Sequence, residues 1–218
     1  MNRPFQTLSG VWLRPALLPG LLAVLILASC GRQGETGEQL RVKLAFASCR
    51  NALINHQASQ ALAYISHDFD DYVNRLISGA GPSTPGSASS PAAENLPGVD
   101  LLLRTALDKK VPADLRPQLT LDALMQRITD KHLLNPREVQ HLSLGRVTVN
   151  GNHASAELYY EGTLTALQLP FVKEGADWKI DVMAVLPYAE VLMRVDRAIK
   201  GETEARQVEQ LVSKLPSL

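Results

Sequence analysis

The chain contains very little cysteine. Cys30 and Cys49 are the only two among 218 residues, so no disulfide framework and no Cys-x-x-Cys redox or zinc motif can form. Cys49 lies among apolar neighbours, which predicts a buried, inert thiol. A redox or nucleophilic role for Cys49 is the alternative, with His56 seven residues further on.

An excess of positive charge is also absent. Lysine and arginine number 22, as do aspartate and glutamate, and the formal net charge is zero. Lys109 and Lys110 form the only basic doublet in the sequence, and we expect it to lie in an exposed loop. Nucleic acids are bound largely through basic patches that neutralise phosphates, so we do not expect a nucleic-acid partner.

Motifs for metals, cofactors and nucleophilic catalysis are missing as well. The chain has no Gly-x-Ser-x-Gly and no phosphate-binding loop, and its five histidines lack the His-x-x-x-His spacing of helical zinc sites. Asp68, Asp70 and Asp71 are close together, but Tyr72 and Val73 occupy the third-ligand and glycine positions of a calcium loop. We therefore expect no cofactor and no metal.

The N-terminal region lacks an apolar run long enough for a clear membrane span. Residues 16–27 are apolar but are interrupted by Pro19-Gly20, and they end in Leu27-Ala28-Ser29-Cys30. This ending looks like a bacterial lipobox, which predicts a signal peptide over residues 1–29, a diacylated Cys30 and a tether over 30–37. Gly31, not aspartate, follows Cys30, which resembles the outer-membrane default, facing the periplasm. An ordinary secretory signal with an incidental cysteine is the alternative.

Helical periodicity dominates the first half of the chain that follows. Val42, Phe46, Cys49 and Leu53 predict a helix that begins near Glu38. Further helices are predicted over 59–66, 99–107 and 121–134, the last one capped by Thr120. Between them, residues 78–97 are predicted to be a flexible insertion, since residues 78–93 are Ser, Gly, Pro, Ala and Thr alone.

Residues 139–185 show the two-residue alternation of an antiparallel sheet with one dry and one wet face. We expect Pro136 to begin the sheet region. A change of parity predicts a β-bulge at Gly145-Arg146, and Asn150-Gly151 predicts a type I′ hairpin turn. The expected dry face consists of Leu142, Val147, Val149, Ala154, Ala156, Leu158, Tyr160, Leu167, Leu169, Phe171, Trp178, Ile180 and Val182.

Two sequence stretches carry a resemblance to a known family. One is Ala-Leu-Ile-Asn-His followed by Leu-Ala-Tyr-Ile-Ser-His-Asp-Phe (residues 52–69). The other is Phe-Val-Lys-Glu-Gly-x-x-Trp-Lys-Ile-Asp (residues 171–181). With the order of elements, they resemble the nuclear transport factor 2-like superfamily, which implies an α+β cone whose curved sheet wraps a helix. The resemblance covers residues 38–186 without the insertion, and we place the domain at 38–200 and a C-terminal helical tail at 201–218.

Two apolar helical stripes follow the sheet. The first consists of Tyr188, Val191, Leu192, Val195 and Ile199, and the second of Val208, Leu211, Val212 and Leu215. Packing into the domain core is the favoured interpretation of both stripes, and contact with a partner is the alternative.

The resemblance implies a cone that is either a ligand pocket or a filled core. Its candidate lining residues are Leu158, Tyr160, Leu169, Phe171, Trp178 and Ile180. Tyr160 is the only strong polar group on the dry face, and the face offers no general base. We therefore expect a non-catalytic binding module for an apolar small molecule or an envelope protein.

Two alternatives remain open for the function. The first is an enzyme of the ketosteroid isomerase or polyketide cyclase type, in which Tyr160 donates a hydrogen bond and Asp68 or Asp70 acts as base. The second is a structural assembly factor, including a homodimer, that acts through Glu157 and Tyr159 on the wet face of the sheet.

Overall fold

The computed structural model describes residues 35–78, 97–131 and 133–217. The predicted signal peptide, Cys30, most of the predicted tether and nearly all of the predicted insertion lie outside the described residues. From Gly37 onward, the described residues belong to one unit, which combines helices with an open four-stranded antiparallel sheet. The chain is therefore an α+β protein.

Six helices precede the sheet within the described residues. They are α1 (Gly37–Ile54), α2 (Ala58–Leu62), α3 (His67–Ile77), α4 (Pro97–Lys110), α5 (Leu121–Asp130) and α6 (Pro136–Gln140), with a 3-10 turn at Arg116–Gln118. The helix predicted from the apolar stripe near Glu38 is confirmed, because Val42, Phe46 and Cys49 are all buried on one side of α1.

The predicted helix over 59–66 is correct only in its first part. α2 ends at Leu62, and Ile65 instead forms an isolated β-bridge with Ile180. The N–H of Ile180 donates to the carbonyl of Tyr64 at 2.8 Å, and the N–H of Ser66 donates to the carbonyl of Ile180 at 3.1 Å. Hydrogen bonds to the sheet thus replace the last turn of the expected helix.

Capping side chains explain where α5 and α6 begin. Thr120 accepts a hydrogen bond from the N–H of Ala123 at 3.1 Å, as predicted for the start of α5. Pro136 does not begin the sheet region; it occupies the first turn of α6, where its missing N–H leaves no bond unmade. Asn135 caps this short helix by accepting from the N–H of Arg137 at 3.0 Å.

The strands form a meander in which each pairs with its sequence neighbour. They are β1 (Leu142–Asn150), β2 (His153–Tyr160), β3 (Thr163–Glu174) and β4 (Asp177–Ile180). The register of β1 shifts between Leu144 and Val147, which confirms the predicted bulge. A Cβ at Gly145 would lie 2.4 Å from Cε2 of Tyr159, so glycine is needed there.

The first hairpin turn differs from the predicted one. Asn150 pairs with His153, so the central residues are Gly151 and Asn152, not Asn150 and Gly151. Gly151 has a φ of +60°, and Asn152 is not among the described residues with positive φ. A positive φ at the first central position alone is the pattern of a type II′ turn, and the predicted type I′ turn is wrong.

The dry face of the sheet packs against α1 in one hydrophobic core. Val42, Ala45 and Phe46 of α1 meet the buried strand residues Val147, Ala154, Ala156, Leu158, Phe171 and Trp178. Five further dry-face residues pack against this cluster, namely Leu142, Val149, Leu167, Leu169 and Ile180. The predicted alternation of the sheet is therefore confirmed at these positions, while Val182 lies beyond the end of β4.

Two helices follow the sheet, α7 (Leu186–Lys200) and α8 (Glu204–Ser213). Gly201 ends α7 in the left-handed conformation, with a φ of +64°. α8 packs on α4 and buries Val208 and Val212, which are 2% and 1% exposed. The prediction that the second C-terminal stripe packs on the domain is thus confirmed at these two residues.

Candidate functional site

Five of the six predicted pocket residues are packed in the core. Leu158, Phe171 and Trp178 are 9%, 1% and 3% exposed, and Leu169 and Ile180 pack against the same cluster. Side chains of α1 fill the space in front of them. The structure therefore brings these five together as core contacts.

Tyr160 lies apart from the other five predicted residues. Its hydroxyl donates to the carboxylate of Glu138 on α6, and this bond raises the pKa of Tyr160 to about 12. Its ring meets His141 edge-on, with 6.0 Å between the ring centroids. Tyr160 is therefore engaged at the outer end of β2 and does not project into the core.

The proposed catalytic partners of Tyr160 lie at the opposite end of the sheet. Tyr160 pairs with Thr163, the first residue of β3. Asp68 and Asp70 belong to the first turn of α3, whose first N–H, that of His67, donates at 2.9 Å to Glu174 at the other end of β3. The structure therefore does not bring Asp68 or Asp70 to the Tyr160 hydroxyl, whose bonded carboxylate is that of Glu138.

The wet-face residues Glu157 and Tyr159 hold the β-bulge. Oε2 of Glu157 accepts from the N–H of Arg146 at 3.1 Å, and Oε1 accepts from its guanidinium at the same distance. The backbone bond, with Arg146 nearby, lowers the pKa of Glu157. Tyr159 covers Gly145. Both side chains therefore have a structural role in bending β1.

Three open clefts among the described residues have volumes of about 160, 340 and 360 Å³. None of these three is lined by a predicted pocket residue. The cleft of about 340 Å³ lies between the first turns of α3 and α5 and includes Asp70 and Asp122. Carboxylates in first turns stabilise the positive ends of helices. Ser66 also lines this cleft, with its hydroxyl buried and without a hydrogen-bond partner among the described residues.

Within residues 35–78, 97–131 and 133–217, no group of three or more His, Cys, Asp or Glu side chains is placed to hold a metal ion. No helix over the same ranges is long and apolar enough to cross a membrane.

α7 is an amphipathic helix whose polar face points inward. Glu190 is only 3% exposed, and its Oε2 accepts from the N–H of Val99 at 3.0 Å. The side chain of Arg197 is 17% exposed and lies 3.6 Å from Oε1 of Glu204 on α8. Glu190 and Arg197 are seven residues apart and therefore lie on the same side of the helix. Glu190 and Arg197 therefore both lie on the inward side of α7.

The outer face of α7 is apolar and exposed. It consists of Tyr188, Val191, Leu192, Val195 and Ile199, which are 40%, 51%, 51%, 50% and 80% exposed. We call these five residues the α7 stripe. The prediction that they pack into the domain core is wrong, because the hydrogen bond of Glu190 to Val99 and the contact of Arg197 with Glu204 hold the opposite side of α7 against the domain.

Scans against protein-family models, curated proteins and solved structures find no match to this chain.

The position of α7 on the domain depends on a glycine at the start of α4. A Cβ on Gly98 would lie 2.9 Å from Oε1 of Glu204 and 3.0 Å from Oε2 of Glu190. Only glycine lets both carboxylates approach the helix N terminus so closely, where they meet its partial positive charge. This contact fixes the orientation of α7 and, with it, the direction in which the α7 stripe faces.

Sequence reasoning found the residues of the α7 stripe but missed its exposure. Periodicity identifies an apolar face without saying whether anything covers it. Two features of the sequence bear on the orientation of α7: Gly98 beside Pro97 at a helix start, and Glu190 and Arg197 on the side opposite the stripe. Neither feature predicts an exposed stripe. Glutamate and arginine on a helix are usually exposed, so their position opposite the stripe predicts that the stripe is buried.

Proposed function

We propose that this chain is an outer-membrane lipoprotein, anchored through lipid on Cys30 and facing the periplasm, whose domain is a non-catalytic binding module. We further propose that the domain is of the nuclear transport factor 2-like type and that its partner is a protein. The packing of α1 against the dry face of a bulged antiparallel sheet supports the fold assignment.

The observation that carries the proposal is the orientation of α7, which exposes its apolar stripe and buries Glu190. Five side chains of this size that are 40% to 80% exposed leave on the order of 500 Å² of apolar surface in water, comparable to patches that mark interaction sites on soluble proteins. Exposure of that area costs free energy unless a partner covers it, because apolar surface is stabilised by removal from water.

The two alternatives receive less support from the geometry. An isomerase-like mechanism needs a base within hydrogen-bond reach of the substrate, but Asp68 and Asp70 lie at the far end of β3 from Tyr160. An assembly site on the wet face would involve Glu157 and Tyr159, which already hold the bulge. An apolar ligand in the cone would have to displace the side chains of α1.

Photo-crosslinking in intact cells tests the binding function. A benzophenone amino acid replaces Val195 in the full chain, and a second strain carries it at Asp177, an exposed residue in the sheet. We expect a protein adduct from position 195 and none from position 177. Absence of any protein adduct at 195 contradicts the proposal.

Fractionation tests the anchor. The wild-type chain should sediment with outer membranes and carry the mass of a diacylglyceryl group, whereas Cys30→Ser should lose both properties. Membrane association that survives this substitution would contradict lipidation at Cys30.

Native mass spectrometry of the anchored chain should find no small apolar ligand, and a stoichiometric one would restore the pocket interpretation.

A further inference from the structure

The spacing of the α7 stripe suits a second helix as its cover. Tyr188, Leu192, Val195 and Ile199 follow one another at steps of four, three and four residues, which is the seam spacing of two helices that pack side by side. Val191 widens the seam on one flank. The stripe runs from residue 188 to residue 199 of α7, so it is about 16 Å long.

We propose that the partner covering the α7 stripe is a second copy of this chain, bound as a two-fold dimer through paired α7 helices. This inference rests on the proposed function and identifies its partner. A two-fold interface places the same patch on both subunits, so the patch must be compatible with itself.

The charges on α7 satisfy this requirement. The carboxylate of Asp196 at the edge of the stripe accepts from Nζ of Lys200 at 2.8 Å and from Nε2 of Gln207 at 3.0 Å. These bonds lower the pKa of Asp196, so it remains ionised and paired. Arg194, on the other flank, lies 4.0 Å from Oε1 of Glu190. A second copy therefore meets apolar side chains and charges that already have partners.

The buried area fits a weak, membrane-assisted dimer. Two stripes together bury on the order of 1,000 Å², which is close to the lower bound for a specific interface. Such an interface dissociates readily in solution. Two copies anchored by lipid to the same leaflet meet at a high effective concentration, which offsets the small area. A mixed flank of Arg194, Asp196 and Lys200 also fits a protein surface better than an anionic membrane, which favours basic flanks.

The matched control for this surface is Leu164. It is 52% exposed on β3, against 51% for Leu192 in the stripe. The two leucines are the same residue type with nearly the same exposure, and they lie on different surfaces of the domain. Benzophenone is introduced at 192 or at 164 in the full anchored chain, and two copies with different tags are expressed together.

We expect a product of twice the chain mass that carries both tags from position 192 and none from position 164. In the purified full chain in detergent, Leu192→Glu should raise the dimer dissociation constant at least about tenfold, a cost typical of a charge buried without a partner. Leu164→Glu should leave it within about twofold.

Each other outcome overturns the proposal in a distinguishable way. A product at 192 that contains a different protein excludes the second copy but leaves the proposed binding function intact. Lipid adducts without a protein product exclude both. Equal products from 192 and 164 show a non-specific encounter and exclude a dimer through α7.

Discussion

Glu190 holds α7 against the start of α4, and Glu190→Ala should therefore destabilise the protein measurably. The substitution leaves the N–H of Val99, 3.0 Å from Oε2 of Glu190, without its acceptor in a buried place. An unsatisfied buried donor costs about 1–3 kcal/mol. Loss of a carboxylate from the positive end of α4 adds about 0.3–1 kcal/mol.

One contribution opposes this loss of stability. Oε1 of Glu190 is buried without a hydrogen-bond partner among the described residues, so its removal recovers part of a desolvation cost. The net expectation is a decrease of about 2 kcal/mol in the free energy of unfolding. For a chain of this size, that lowers the melting temperature by roughly 4–8 °C.

Urea denaturation followed by far-ultraviolet circular dichroism measures this decrease. Glu190→Gln keeps one acceptor oxygen and should lose less than half as much. Glu209→Ala removes an exposed carboxylate that pairs with Lys109 on the neighbouring helix, and it should change the stability by less than about 0.5 kcal/mol. If Glu190→Ala falls within the same small range as Glu209→Ala, the argument that Glu190 anchors α7 is refuted.

Three further predictions concern the sheet and α1. Hydrogen bonds from Trp178 and Lys173 lower the pKa of Glu38 in the folded protein below its usual value of 4.5. The stabilisation that this lowered pKa provides is fully present above pH 4.5. It is lost as the pH falls through the pKa that Glu38 has in the folded protein. Glu38→Gln should remove that acid-dependent part of the urea midpoint. Burial raises the pKa of Cys49 to about 11, so a thiol reagent should modify it only after unfolding; rapid native labelling would contradict this. Tyr160→Phe should leave the urea midpoint nearly unchanged, and a large loss would place Tyr160 in the core.

The sheet could be predicted well because strand alternation reports directly on burial. Leu144 and Val147 differ in parity, and that single irregularity located the bulge. The turn at Asn150-Gly151 was placed one residue early, because several turn types share the same residues and the pairing decides between them. Hydrogen bonds between Tyr64, Ser66 and Ile180 ended α2 early, and no local pattern announces such contacts.

The candidate site was less accessible to sequence reasoning for a different reason. A helix with an apolar and a charged face looks the same whether the apolar face is buried or exposed. In α7 the choice depends on Gly98 and Glu190, which are separated by 92 residues of chain. Only the folded arrangement brings the carboxylate to the helix start. Lipidation at Cys30 stays a prediction.

The position of α1 also has a consequence for the order in which the chain can fold. Strands of the meander pair with immediate neighbours and can assemble locally. α1, in contrast, forms hydrogen bonds with residues that are distant in the sequence. Gln39 donates to the carbonyl of Val147, 108 residues away, and Glu38 accepts from Trp178, 140 residues away. Because synthesis runs from the N terminus, the apolar side of α1 is not completely covered until β4 emerges. A chain that stops before Trp178 would therefore leave part of this apolar side exposed to water, so the exposed apolar surface of α1 distinguishes such a fragment from the complete chain.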